Sequence, residues 1–135
     1  MIVPVRGSTL LFRAGPGDLH LHICLTAPFD ALAEPPQQVL MVSATTIYGI
    51  RGEDLTCLLK PGDHPFLVVP SYIAYSHWRC VTVSALNRAE GLGMAKAKEP
   101  MDAAVLKRIR DGLFTSQRAP RAARNFVLAY ENANP

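Results

Sequence analysis

Four histidines, His20, His22, His64 and His77, carry most of the chemistry open to this chain. Imidazole is the side chain whose ordinary titration range spans neutral pH, so it can take or give a proton. Two of the four lie in the series Asp18-Leu19-His20-Leu21-His22. On a strand, alternation puts Asp18, His20 and His22 on one face. A carboxylate and two imidazoles form a donor set suited to zinc or iron. His-x-His also occurs on half-buried strands that hold no metal, and spacing ties no further His or Glu to this one. Thr45 and Thr46 end an apolar run. Their hydroxyls can satisfy backbone groups at a strand end, or donate to a phosphate or a developing oxyanion.

His64 sits in Gly62-Asp63-His64-Pro65, between two apolar stretches. Gly62 supplies conformational freedom, Asp63 can cap the turn and Pro65 holds the chain extended. The motif reads as a structural corner, with a place in a catalytic site as the alternative. Tyr72, Tyr75, His77 and Trp78 form an aromatic cluster that can fill a core or stack bases. The chain has no Walker or dinucleotide loop, no Gly-x-Ser-x-Gly elbow and no His-Glu-x-x-His, so no cofactor is expected.

Short segments must position these residues. Residues 8–13, 19–26, 39–47, 55–59, 66–69, 71–75 and 79–84 read as strands, separated by Gly/Pro turns such as Gly15-Pro16-Gly17-Asp18 and the proline-bearing loop 28–38. Glu99 is placed to cap a helix that Pro100 opens. Met101, Val105, Leu106, Ile109 and Leu113 form its core stripe, and Gly112 weakens its end. A second helix starts at Pro120. The expected fold is mainly β with C-terminal α: a small barrel or bent antiparallel sheet packed by one or two C-terminal helices. At 135 residues the chain is one domain, with a β part over 1–87 and a basic helical part over 88–135.

The net charge of +3 is uneven. Residues up to Asn87 hold five Lys/Arg and six Asp/Glu, whereas those from Arg88 onward hold nine and five. A basic C-terminal third suits an acidic partner, nucleic acid or protein. The cations to consider there are Lys107, Arg108, Arg110, Arg118, Arg121 and Arg124. Three scattered cysteines, with no Cys-x-x-Cys pair, read as buried free thiols in a reducing cytoplasm. No apolar run is long enough for a membrane span, and the N-terminus lacks the regions of a signal peptide.

The order of segments resembles the MazF/PemK-type toxins. Ile2-Val3-Pro4-Val5-Arg6-Gly7-Ser8-Thr9-Leu10-Leu11-Phe12 is similar to that family's first strand and His20–Thr26 to its second. Residues 39–46, ending in Thr45-Thr46, are similar to its third strand, residues 71–86 to its later strands, and residues 101–113 to its C-terminal helix. The resemblance implies an SH3-like barrel, a homodimer, a cognate antitoxin protein and metal-independent cleavage of single-stranded RNA. It also implies catalysis at the start of the second strand and the end of the third, which here are His20 and Thr45. Thr46 would help orient the phosphate, and Arg6 or Arg13 would supply a cation. Two other readings stand beside it: a non-catalytic barrel that binds nucleic acid or protein, and a metal-dependent hydrolase using Asp18, His20 and His22.

Overall fold

The computed structural model describes residues 1–13, 19–31 and 36–135. Asp18, the Gly15–Asp18 turn and part of the 28–38 loop lie outside the described residues. Among these residues seven strands form one antiparallel sheet: β1 (Thr9–Phe12), β2 (His20–Cys24), β3 (Gln38–Thr46), β4 (Leu58–Leu59), β5 (Ser71–Ile73), β6 (Arg79–Thr82) and β7 (Ala95–Lys98). Among the described residues three helices join them: α1 (Val83–Gly91), α2 (Ala103–Thr115) and α3 (Arg121–Ala133). The expected class, a bent antiparallel sheet packed by C-terminal helices, is what the chain adopts.

β3 is the hub. One edge pairs with β2 (Leu21 opposite Ala44, Cys24 opposite Met41). The other edge is shared by two strands. Its C-terminal half pairs with β5, Thr45 opposite Tyr72, and its N-terminal half with β6, Met41 opposite Arg79. A 3-10 turn, Tyr75–His77, breaks the ladder between them. The chain thus leaves the sheet for one turn and returns to the same edge of β3.

Alternation along β3 feeds two cores. Leu40, Val42 and Ala44 face the larger one, with Leu21, Ile23, Leu25 and Ile73 from neighbouring strands and Val105, Ile109, Leu113 and Val127 from α2 and α3. Val39 and Met41 face the smaller one, with Leu10, Cys24, Ile2 and Ala95 beneath Leu86 of α1. That helix covers only the N-terminal half of β3 on this side. Ser43 and Thr45, further along the same face, line an open cleft instead.

Several local expectations are corrected. Residues 66–69 form no strand: Leu67 N–H turns back to the His64 carbonyl at 2.9 Å, and Val68 and Val69 are exposed. Residues 83–91 are helical, because the Thr82 hydroxyl caps them by accepting from Ala85 N–H. Residues 95–98 form β7, which pairs with β1, so the basic third contributes a strand to the sheet. α2 starts at Ala103, capped by the Asp102 carboxylate, rather than at Pro100. The Glu99 carbonyl is taken up by Thr9 and His64.

Candidate functional site

Antiparallel register sets four side chains in a row across the sheet. Phe12 is opposite His20. The β2–β3 register of Leu21 with Ala44 carries one step further to set His20 beside Thr45. Thr45 is opposite Tyr72. Two residues along on the same face lie His22 and Ser43, themselves a cross-strand pair. The 3-10 turn brings His77 to the rim, and β6 begins with Arg79 facing the same side as Met41. Together Phe12, His20, His22, Ser43, Thr45, Tyr72, His77 and Arg79 line a cleft of about 300 Å³. Three imidazoles, three hydroxyls and a guanidinium therefore converge on one concave surface.

His22 is the buried imidazole of the three, only 4% exposed. Its Nδ1 donates to the His20 carbonyl, 3.0 Å away, since a carbonyl can only accept. The Phe12 ring meets it edge-on, with centroids 5.4 Å apart. Burial pushes its pKa down to about 4, and the charges of His20 and Arg79 add to that, against the carbonyl hydrogen bond. His22 is thus neutral at physiological pH, with its proton on Nδ1. His20 and His77 are exposed in the cleft.

On the far side of the same strand ends lies a second, apolar pocket of about 350 Å³. His20 and Thr45 belong to both linings and form the lip between them. Thr46, one residue on, faces this second pocket, with Phe66, Val68, Val69 and Tyr48 around it.

The other candidates lie elsewhere. His64 is 1% exposed and lines neither cavity. Its Nδ1 accepts from Phe66 N–H at 3.0 Å and its Nε2 donates to the Glu99 carbonyl at 2.7 Å. Both ring nitrogens are therefore spent on holding the corner to the segment that follows β7. Arg6 and Arg13 line neither cavity. The cations of α2 are engaged within the protein. Lys107 pairs with Asp111, Arg108 with Asp63 and the Leu58 carbonyl, and Arg110 grips Glu131 at 2.7 and 3.0 Å while lying over Phe114. These contacts hold the Asp111 and Glu131 carboxyls below the usual range. Arg118 donates to the Gly52 carbonyl. Arg121 and Arg124 sit at the start of α3, away from the cleft.

Among the described residues no group of three or more His, Cys, Asp or Glu is arranged to hold a metal ion, and Asp18 lies outside them. Cys24, Cys57 and Cys80 are free thiols, with Cys24 pushed up to about 12 by burial. Among the described residues no helix is long and apolar enough to cross a membrane.

Sequence reading assembled His20 with Thr45 and singled out Tyr72 and His77, but gave Arg79 and Ser43 no role. Arg79 joins them only because the 3-10 turn restores pairing to the same edge of β3, and nothing in the local sequence marks that return. Comparison of the chain with protein-family models, curated proteins and solved structures yields no match.

Proposed function

We propose that the cleft binds single-stranded RNA and cleaves it with the chain's own side chains. The observation that carries this reading is the convergence of His20, His77, Thr45, Tyr72 and Arg79 on one open concavity. Cleavage by the ribose 2′-hydroxyl needs a base for its proton, charge stabilisation at phosphorus and an acid for the leaving oxygen. Two exposed imidazoles, His20 and His77, fit the base and acid. The 2′-oxygen attacks the adjacent phosphorus, and one imidazole takes its proton. The bond from phosphorus to the 5′-oxygen breaks, and the other imidazole protonates that oxygen. The products are a 2′,3′-cyclic phosphate and a free 5′-hydroxyl. Arg79, Thr45 and Tyr72 are the donors to the phosphate oxygens, and a guanidinium suits that task by its planar fork. The apolar pocket beyond the His20–Thr45 lip receives a neighbouring base.

The resemblance to MazF/PemK-type toxins adds a cognate antitoxin and a homodimer to this proposal, and these two rest on the resemblance alone; the cytoplasmic setting rests on the scattered cysteines. Incubating purified protein with single-stranded RNA in EDTA tests the activity. Cleavage that falls a hundredfold or more in folded His20→Ala and His77→Ala is expected. RNA that is bound in a salt-sensitive way yet never cut would leave a binding module in its place.

A further inference from the structure

His22 has one ring nitrogen to spare. Its Nδ1 proton is committed to the His20 carbonyl. No buried side-chain nitrogen or oxygen among the described residues lacks a hydrogen-bond partner. Nε2 takes no such partner from those residues, so it must reach the cleft that His22 helps to line. The result is a 96% buried imidazole that presents a lone pair to the ligand site. The Phe12 ring, edge-on at 5.4 Å, and the hydrogen bond to its own strand hold it in that orientation.

This group differs from the hydroxyls and the guanidinium around it. The hydroxyls of Ser43, Thr45 and Tyr72 can turn to donate or accept, and Arg79 can only donate. His22 can only accept while it stays neutral, and its low pKa keeps it so throughout the physiological range. A fixed acceptor cannot serve a phosphate oxygen, which is itself an acceptor. With Arg79, Thr45 and Tyr72 given to the phosphate oxygens, it takes its donor from the ligand, or is left unsatisfied when the ligand expels water. The sugar–phosphate backbone of a nucleic acid has one donor, the ribose 2′-hydroxyl, and DNA lacks it.

We propose that His22 Nε2 accepts a hydrogen bond from a ribose 2′-hydroxyl neighbouring the one that attacks phosphorus, and so makes the cleft selective for RNA over DNA. The inference rests on the reading of the cleft as an RNA site. His22 is a specificity residue and not the proton acceptor of the reaction, which falls to the exposed imidazoles.

Fluorescence anisotropy with one sequence as RNA, as 2′-deoxy and as 2′-fluoro single strands tests this at 4 °C, with each probe shown intact on a gel. The wild-type protein is expected to bind RNA about five- to tenfold tighter than either analogue, the worth of one buried hydrogen bond. His22→Phe keeps a ring of similar shape and is expected to bring RNA down to the level of the analogues. His22→Gln, whose amide oxygen can accept, is expected to retain part of the preference if His22→Phe proves poorly folded. Equal binding of all three probes by the wild type overturns the inference, even where RNA is cleaved. An unaltered preference in a folded variant overturns it too. Failure to bind any probe overturns the RNA reading of the cleft and this inference with it.

Discussion

The Thr9 hydroxyl and His64 Nε2 lie 3.1 Å apart, and both donate to a single acceptor, the Glu99 carbonyl, at 2.6 and 2.7 Å. Three distant parts of the chain meet there: β1, the Gly62–Pro65 corner and the segment after β7. Gly62, at φ 94°, permits the bend that turns His64 inward.

His64→Ala is expected to destabilise the fold without touching the cleft. It leaves Phe66 N–H without its side-chain acceptor and opens a cavity, at a cost of about 2 kcal/mol. Thermal unfolding should show a midpoint several degrees lower. RNA affinity, measured well below that midpoint, should match the wild type. A loss of affinity in the folded variant would return the corner to the site.

Gly112 is required by a close approach rather than tolerated at a fraying end. It faces Tyr75, whose hydroxyl donates to the Ile109 carbonyl at 2.7 Å, and a Cβ at this position would collide with that hydroxyl. Gly112→Ala should therefore cost about 1–3 kcal/mol by overpacking, although alanine is the better helix former by about 1 kcal/mol. Tyr75→Phe removes the colliding oxygen. In the double variant the alanine should cost distinctly less than it does alone, and denaturant unfolding of the four proteins measures that coupling.

How much of this was legible beforehand follows from the range of the signals involved. The alternation of His20, His22 and Cys24 is local, and it placed both imidazoles on one face. The stripe Val105, Ile109, Leu113 is equally local, and α2 followed from it. The strand Ala95–Lys98 was not visible, because its Ala-Lys alternation has no β-branched or aromatic residue, and pairing with β1 alone makes it extended. Val83 and Ser84 read as the tail of a strand because the helix they open depends on one cap, Thr82, following β-branched residues. The corner's role was half legible: turn chemistry gave the bend, but the partners of His64 Nε2 lie 35 and 55 residues away.

His22 also makes stability depend on pH. Its pKa falls from the ordinary 6.5 to about 4 in the folded chain. Between those values the unfolded chain binds a proton that the folded chain refuses. Stability is therefore full above about pH 6.5 and is lost as pH drops toward 4, by about 3 kcal/mol from this residue. Chemical denaturation at pH 7 and at pH 4.5 should show the loss. His22→Phe should shrink it, and an equal loss in that variant would assign the dependence to other groups.

The lip formed by His20 and Thr45 separates a polar cleft from an apolar pocket, and a chain of nucleotides alternates in the same way between phosphate and base. A phosphate held on the cleft side brings the next base to the mouth of the pocket, where Phe66 is 42% exposed and Tyr48 74% exposed. Base stacking on an aromatic ring is worth about 1–3 kcal/mol. Phe66→Ala should therefore weaken binding of single-stranded RNA by about tenfold, with the thermal midpoint little changed. The salt dependence of binding should keep its slope, because stacking releases no counterions. An oligonucleotide with one abasic position should lose affinity against the wild type but lose little more against Phe66→Ala. Tight, unaltered binding by a folded Phe66→Ala protein would mean that the pocket holds no base, and that the cleft alone carries the ligand.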